Sequence, residues 1–255
     1  MGFSMDIGIV GGGLSGMFAA RLLSDLGHNV TVWDKGSRIG GRLTGWQTDE
    51  GSKIHLGARA LDSMPRWMDR FVDEWARLGL VSREGGSLIP DAPLPELLKH
   101  LSEGSSVCLG TRVTGLELIE DGIRFTKESD GDVEVCRYDR VIVAVPVEQA
   151  SEIASDLDID IDGESIPSIV AWGFCDSIPE EVPEGFRIHD LGNSTTMVEL
   201  STEMSGQLID HDKRSLSKII THKLGISGEG WKSHKWRYSR ASSGPGSVVA
   251  KDGIS

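Results

Sequence analysis

Hydrophobic and polar positions at the start of the chain predict one βαβ unit. The apolar run 5–10 indicates a buried strand, and residues 14–26 carry hydrophobic side chains at helical spacing before Gly27, a residue type that often ends helices. Residues 28–34 then alternate β-branched and other side chains, as a second strand does. Strand, helix and strand in this order are typical of a parallel α/β sheet.

The rest of the chain predicts further helices and two groups of strands. Helices are predicted at 64–79, 94–102, 147–155 and 213–224. Strands are predicted at 107–119, 122–127, 133–138, 140–145, 167–175, 185–201 and 234–240, with an acidic loop at 156–165. The earlier strands predict a β-meander that leads into a buried strand, and the later ones predict a second sheet.

The turn between the first strand and the first helix has the glycine spacing of a dinucleotide-binding fingerprint. Gly11 is suited to the tight turn, Gly13 lets the backbone approach a pyrophosphate, and Gly16 allows the helix to pack closely on the strand. The helix N-terminus attracts the phosphate charge, and Asp34 at the end of the second strand can accept hydrogen bonds from ribose hydroxyls. The pattern therefore predicts a dinucleotide site.

A second glycine pair after Asp34 distinguishes between dinucleotides. Gly40 and Gly41 precede Arg42, whose guanidinium can reach back and neutralise the same pyrophosphate. A nicotinamide-type Rossmann domain does not normally need this addition. The run therefore favours FAD over NAD, and an NAD-binding dehydrogenase is the weaker alternative.

Composition excludes several other function classes. The net charge is −13, and segment 147–210 holds 15 acidic residues and one basic residue, a field that disfavours nucleic acid. No apolar run approaches the roughly 20 residues of a membrane span, so we expect no membrane partner. The three cysteines lie far apart without metal-ligand spacing, which predicts no disulfide framework, no metal site and a cytoplasmic protein. We expect the start of the chain to be folded structure and not a leader segment.

On these motifs the chain resembles FAD-dependent enzymes of the amine-oxidase class, and among them the compact renalase-like flavoproteins. Further matching pieces are the segments 56–58, 110–113, 141–146 and 235–238. The resemblance implies an α/β fold, with a Rossmann-like FAD-binding domain and a smaller mixed-sheet substrate domain. It assigns 1–62, 105–150 and 241–255 to the FAD-binding domain, and 63–104 and 151–240 to the substrate domain.

The resemblance also implies which residues bind the cofactor, FAD. They are Gly11, Gly13, Leu14, Ser15, Gly16, Asp34, Lys35, Gly41, Arg42, Gly57, Ala58, Arg59, Ala60, Val113 and Asp252. Trp236 and Tyr238 lie on a strand that borders the substrate cavity in the family. Because the flavin carries the difficult chemistry, no general base is nominated and the catalytic residues stay unknown.

Two departures from the family pattern affect the expectation. The family has Gln and an aromatic residue where this chain has Arg59 and Ala60; the cation could stabilise a reduced, anionic flavin or be a surface residue. Lys251 replaces a glycine beside Asp252, and the family's next segment is a helix that packs on the first βαβ unit, whereas the sequence ends at Ser255. A homo-oligomer could cover the position of that helix.

We therefore expect an FAD-dependent oxidoreductase that transfers a hydride from a small reduced substrate to flavin, with reoxidation by oxygen or another acceptor. The resemblance gives a dihydronicotinamide-like compound, an amine or an alkene precursor as the substrate and does not decide between them. The alternative is a non-catalytic dinucleotide-binding or interaction module that has lost the flavin-closing C-terminal helix.

Overall fold

The structure is a computed structural model that describes residues 3–47, 53–59, 61, 65–85, 87–91, 94–175, 178–192 and 194–242. The helices are α1 (Leu14–Asp25), α2 (Asp69–Arg77), α3 (Leu94–Leu101), α4 (Val147–Ile153), α5 (Thr202–Leu208) and α6 (Lys213–Leu224). The strands are β1 (Asp6–Val10), β2 (Asn29–Trp33), β3 (Gly45–Gln47), β4 (Lys53–His55), β5 (Val81–Glu84), β6 (Ser87–Pro90), β7 (Ser106–Cys108), β8 (Arg112–Ile119), β9 (Gly122–Ser129), β10 (Asp132–Tyr138), β11 (Arg140–Val143), β12 (Ser165–Phe174), β13 (Phe186–Asp190), β14 (Thr195–Leu200) and β15 (Lys232–Ala241).

A four-stranded parallel sheet in the order β11-β1-β2-β7 organises the first unit of the chain, which extends to Asp162. Side chains alternate between its two faces, as the pleat requires. Ile7 and Ile9 of β1 point into a core formed with α1, α2 and α3, and Val10 and Trp33 belong to a separate core beneath the meander. The predicted βαβ unit is confirmed, with β1, α1 and β2 within one or two residues of the expected positions.

The antiparallel meander β8-β9-β10 covers the other face of the parallel sheet. Phe125 stacks on Tyr138 with ring centroids 5.1 Å apart and meets Trp33 edge-on at 5.8 Å. Trp33 donates a hydrogen bond from Nε1 to the Tyr138 hydroxyl at 3.1 Å, and the Lys127 ammonium lies 4.4 Å from the centre of its ring. Gly8 makes room for this layer, because a β-carbon there would lie 2.9 Å from the Tyr138 ring.

The second unit begins at Gly163 and contains an antiparallel sheet in the order β13-β14-β12-β15. Helices α5 and α6 pack against one of its faces, where Ile169, Val198 and Leu216 form a buried core. The N-cap of α6 is Asp212, whose carboxylate accepts a hydrogen bond from the Ser215 amide at 2.9 Å. The second predicted sheet is therefore confirmed.

Three local predictions differ from the structure. The predicted strand 107–119 is divided into β7 and β8, because the chain turns at Gly110, whose φ is +65°. The run 185–201 forms the hairpin of β13 and β14, with Ser194 at a φ of +54° in the turn. Helix α5 was not predicted, although Ser201 caps it by accepting a hydrogen bond from the Met204 amide.

The compact units divide the chain differently from the predicted domains. The described parts of 63–104 share the hydrophobic core of the parallel sheet, since Trp75 of α2 and Leu97 of α3 pack with Phe18 of α1. These residues therefore belong to the first unit. Which segments contact a substrate stays a prediction. Among the described residues no helix is long and apolar enough to span a membrane.

Candidate functional site

The turn between β1 and α1 requires glycine at two positions and is open at a third. A β-carbon on Gly11, whose φ is +110°, would lie 2.5 Å from the Ala144 carbonyl oxygen, and one on Gly16 would lie 1.9 Å from the Gly11 oxygen. A β-carbon on Gly13 would meet nothing within 4 Å. The turn is thus packed tightly against the protein on one side and leaves space for a ligand at Gly13.

The N-terminus of α1 points its free amides towards this space. Gly13 is the N-cap and provides no side-chain hydrogen bond, and the first turn contains no acidic residue. Leu14 begins the helix and Ser15 is exposed beside it. The partial positive charge of this helix end is therefore available for an anion such as a diphosphate.

The Asp34 carboxylate is fixed by two backbone amides at the end of β2. Its Oδ2 accepts a hydrogen bond from the Gly12 amide and its Oδ1 accepts one from the Gly36 amide, both at 2.6 Å. Each carboxylate oxygen can accept another hydrogen bond, so the group can also bind ribose hydroxyls. Lys35 is exposed next to it. The role of Gly36 was not predicted, although its place two residues after the carboxylate is typical of an Asx turn.

The second glycine pair packs directly against the fingerprint. The Gly40 amide donates a hydrogen bond to the Gly12 oxygen at 3.0 Å. Gly41 has a φ of +52°, and a β-carbon on it would lie 3.8 Å from the Gly13 α-carbon. The next residue, Arg42, is exposed. Two motifs that are separated in sequence therefore form one surface.

Residues 57 and 58 lie against the backbone of Arg42. The Ala58 amide donates a hydrogen bond to the Arg42 oxygen at 3.1 Å, and a β-carbon on Gly57 would lie only 1.8 Å from that oxygen. Arg59 follows and is exposed. The structure thus brings Gly57, Ala58 and Arg59 to the end of the glycine surface that carries Arg42. Ala60 lies outside the described residues.

Val113 is placed near the opposite end of the surface, by Asp34. The Thr111 amide donates a hydrogen bond to the Asp34 oxygen at 3.0 Å, and the Asp34 amide donates one to the Cys108 oxygen at 2.9 Å. Val113, the second residue of β8, is 4% exposed and packs in the same core as Trp33. Its contact with an adenine ring stays a prediction. The backbone role of Cys108 and Thr111 was not predicted, because it depends on strand pairing and not on their side chains.

The predicted substrate-pocket residues belong to β15 of the second unit. Trp236 and Tyr238 are half-buried there. Trp236 contacts His234 edge-on, with ring centroids 4.4 Å apart. Burial, helped by the nearby Lys213 ammonium, lowers the pKa of His234 to about 4, so this imidazole is neutral at pH 7. The predicted residue Asp252 lies outside the described residues, and in the described ranges no group of three potential metal ligands is present.

The described residues fit a flavin dinucleotide. They supply an open glycine cradle at Gly13, an uncapped helix end for the diphosphate and a fixed carboxylate at Asp34 for the ribose. Arg42, which is exposed, directly follows Gly41 beside the cradle. A ligand with a single phosphate would need only the N-terminus of α1. The surface described here continues from that helix end to Asp34 on one side and to Arg42 and Gly57 on the other, as an extended dinucleotide requires.

Comparison with known proteins supports this assignment. Residues 9–75 match the family model of the NAD(P)-binding Rossmann-like domain, and residues 68–160 match that of the flavin containing amine oxidoreductase. The chain is 34% identical over 107 residues to 4,4'-diapolycopen-4-al dehydrogenase of Metabacillus indicus. This matched segment covers 40% of this chain and 19% of that protein. The chain is also 44% identical over 61 residues to the L-amino-acid oxidase of Siganus canaliculatus. This second match covers 24% of this chain and 12% of that oxidase. The matches thus span less than a fifth of these relatives.

Solved structures show the same fold at lower sequence identity. The structure of an oxidoreductase from Methanosarcina mazei aligns with a TM-score of 0.64 and 13% identity, over 98% of this chain and 93% of that one. This likeness concerns the fold alone. The fold class, an α/β protein with a Rossmann-like nucleotide-binding domain, is confirmed. With the flavin amine oxidoreductase match and the dinucleotide surface, the cofactor is FAD, and the chain is similar over residues 68–160 to the flavin containing amine oxidoreductases.

Proposed function

We propose that this protein is an FAD-dependent oxidoreductase of the renalase-like type. In the proposed reaction a hydride passes from a small reduced substrate, dihydronicotinamide-like or an amine, to the flavin, and oxygen or another acceptor takes up the electrons. FAD supplies the hydride-accepting ring when bound. The observation that carries the proposal is the convergence of three separate segments, because Gly40 and Gly41 pack on the fingerprint and Gly57 packs on Arg42.

The protein's own residues would bind and orient the cofactor. Asp34 would accept the ribose hydroxyls, the first amides of α1 would bind the diphosphate, and Arg42 would neutralise its charge. Arg59, beside Gly57, would lie near the flavin ring, where its positive charge would stabilise a reduced, anionic form. Val113 would contact the adenine and Asp252 would contribute from the C-terminal segment. No proton-transferring residue is proposed.

The proposal includes a cellular setting. We take the partner to be a small molecule, with no nucleic acid and no membrane, in the cytoplasm. The local acidity of 147–210 supports the exclusion of nucleic acid. The three cysteines form no disulfide in the part of the chain that the structure describes, which supports a reducing compartment. A homo-oligomer is also proposed and is tested by the mass of the purified protein in solution.

The first experiment is the visible absorption spectrum of the purified protein, followed by release and chromatographic identification of the chromophore. We expect stoichiometric FAD. In Arg42→Ala the affinity for FAD should fall by about tenfold or more, the equivalent of one charge-assisted contact. Arg83→Ala is the matched control, because Arg83 is an exposed arginine whose ion-pair partner, Asp73, is 3.7 Å away. A colourless protein that fails to bind added FAD would contradict the proposal and favour the non-catalytic module.

A further inference from the structure

Helix α6 of the second unit carries a row of basic side chains on its exposed face. Arg214, Lys218 and His222 are all exposed and follow one another at four-residue spacing, with a rise of about 6 Å between neighbours. In the described part of the chain neither Arg214 nor Lys218 forms an ion pair. The helix dipole favours a cation in the last turn, but Arg214 lies in the first turn, where it disfavours one. Helix stability therefore does not account for the whole row.

The chain that follows α6 turns back along the helix and forms a groove with it. Gly225 ends the helix with a φ of +67°, and the Ile226 amide donates a hydrogen bond to the Thr221 oxygen at 3.1 Å. Gly228 lies so close to the helix that a β-carbon on it would be 2.6 Å from the Thr221 hydroxyl oxygen. The open groove between the helix and the returning chain has a volume of about 440 Å³. We call it the α6 groove, and it is lined by Lys218, Thr221, His222, Ile226, Gly228 and Glu229.

A second surface of the same unit has the opposite charge. Residues 178–184, between β12 and β13, contain no basic residue, and we call them the glutamate loop. The loop exposes Ile178 and Val182 by 41% and 43% respectively. Solvation accounts for exposed carboxylates but not for apolar side chains exposed beside them, which are typical of an interface. The glutamates of the loop are all exposed: Glu180, Glu181 and Glu184.

Two prolines restrict the conformation of the glutamate loop. Pro179 and Pro183 fix one backbone dihedral angle each. The Pro183 oxygen accepts a hydrogen bond from the Phe186 amide at 3.2 Å, which holds the end of the loop against the start of β13. A loop with few conformations loses little entropy on binding, so a contact of modest size can be favourable.

The groove and the loop are complementary, yet they are not paired within one chain. Among the described residues no ion pair joins a glutamate of the loop to a cation of α6. A ligand of the α6 groove needs carboxylates for Lys218 and a small apolar group for Ile226, and the glutamate loop supplies both kinds of group. A groove accommodates a projecting loop, whereas a flat lipid surface would contact only its rim. The net charge of −13 on each copy is screened beyond about 8 Å at physiological ionic strength, so local complementarity decides the contact.

We propose that the α6 groove binds the glutamate loop of a second copy of this chain. Arg214 and Lys218 bind the glutamates, and Ile226 contacts Val182. Because each copy carries both surfaces, a two-fold axis lets each loop occupy the groove of the other copy, and the contact is made twice. The inference rests on the homo-oligomer proposed above, to which it assigns a surface, and not on the flavin chemistry.

The first test is sedimentation velocity of the purified full chain at micromolar concentration and physiological ionic strength. We expect a dimer. Arg214→Glu with Lys218→Glu, and separately Glu180→Lys with Glu181→Lys, should each weaken the dimer by at least about tenfold. Both variants should stay folded, because all four positions are exposed and an anion at position 214 suits the helix dipole. A monomeric original protein, or unchanged association in either variant, would overturn the inference.

A mixture of these two charge-reversed variants gives the sharpest test. Each variant alone opposes like charges at both contacts. In a mixed pair the reversed helix faces the reversed loop, and the two original surfaces face each other. We therefore expect two monomeric variants to form a heterodimer when they are mixed. A mixture that stays monomeric, although both variants melt like the original protein, would overturn the inference.

Two further variants separate the groove from the overall charge. Glu229→Gln removes the carboxylate that lines the groove, so it should tighten association by about threefold. Weaker association in this variant would contradict the proposed contact. Lys223→Glu with Lys99→Glu is the matched control, because Lys223 lies about 140° around α6 from Lys218 and Lys99 is on α3. This control changes the net charge as much as the α6 variant does, and an equal loss of dimer in both would overturn the inference.

The chromophore is measured on the same samples, which distinguishes the two proposals. A monomer with stoichiometric FAD would overturn this inference and leave the proposed oxidoreductase unaffected. A dimer that fails to bind FAD would support the interface and overturn the proposed function. A monomer that binds polyglutamate or phosphatidylserine vesicles would assign the α6 groove to a different acidic partner, and would also overturn the inference.

Discussion

A β-carbon on Gly57 would lie 1.8 Å from the carbonyl oxygen of Arg42, a separation at which one of the two backbones must move. The hydrogen bond from the Ala58 amide to the same oxygen holds the two segments together. The backbone position of Arg42, the residue proposed to neutralise the diphosphate, therefore depends on a glycine fifteen residues later in the chain.

Gly57→Ala should separate these segments and weaken FAD binding. The displaced backbone loses the Ala58 hydrogen bond, which we expect to destabilise the protein by about 1–3 kcal/mol. The measurements are FAD affinity by fluorescence and unfolding by urea. Gly115→Ala is the matched control, since a β-carbon there would meet nothing within 4 Å and the residue lies within a strand. FAD affinity that is unchanged in Gly57→Ala would contradict the proposed packing.

Gly13→Ala should affect the ligand and leave the fold intact. Gly13 has a φ of −78°, which alanine adopts, and a β-carbon there would not meet any protein atom within 4 Å. The methyl group would instead occupy the space proposed for the diphosphate, so FAD affinity should fall by about tenfold or more. The melting temperature of the protein without FAD should stay the same. Normal FAD affinity in Gly13→Ala would contradict the proposed position of the diphosphate next to Gly13.

Asp34→Asn should weaken both the fold and the ribose site. The carboxylate accepts hydrogen bonds from two amides, and an asparagine side chain would present an N–H group to one of them. We expect a loss of about 1–3 kcal/mol in the free energy of unfolding, together with weaker FAD binding. Asp25→Asn is the control, because Asp25 pairs with Arg21 and Arg70 at the surface and should change stability by only about 0–1 kcal/mol. Equal effects of the two substitutions would contradict the special position of Asp34.

The stability of the second unit should depend on pH through His234. Its pKa is about 4 in the folded protein, below the 6.5 of an imidazole in water, because burial disfavours the charged imidazole. Between these two values the unfolded chain binds more protons than the folded chain, so acid favours unfolding. This contribution is present above pH 6.5 and is lost as the pH falls through 4.

His234→Gln should reduce that acid sensitivity. The measurement is the melting temperature of the original protein and the variant from pH 4 to pH 8. Asp210 and Asp212, whose pKa values are lowered by Arg237 and by Ser215 respectively, add acid sensitivity that is common to both proteins. The difference between the two curves of melting temperature against pH therefore gives the contribution of His234 alone. Parallel curves would contradict its burial as a neutral ring.

Local sequence patterns predicted the first strand, helix and strand of the fold, and those residues of the candidate site that lie on them. Gly11, Gly13 and Asp34 could be placed from sequence because the strand, the turn and the helix that position them are consecutive. The contact of Gly57 with Arg42 could not be derived in this way, since it joins segments that meet only in the folded chain. The family resemblance assigned both Gly57 and Arg42 to the cofactor site but did not indicate that their backbones are in contact.

The missed elements have equally specific causes. Helix α5 has seven residues, too few for a clear apolar period, and Ser201 was the one available signal of its start. The pattern predicts one continuous run where the structure has the hairpin of β13 and β14, because apolar residues continue on both sides of its turn. The grouping of α2 and α3 with the parallel sheet depends on tertiary packing around Trp75, which a sequence pattern does not specify.

The layer formed by Trp33, Tyr138 and Lys127 allows the nucleotide end of the sheet to be followed by tryptophan fluorescence. Trp33 immediately precedes Asp34, and its indole is held by the Tyr138 hydroxyl and lies beneath an ammonium group. A charge above an indole shifts its emission, so Trp33 is an intrinsic reporter of whether the meander is seated on the parallel sheet. The difference in emission between the original protein and Trp33→Phe would therefore follow the opening of this end of the protein without any added label.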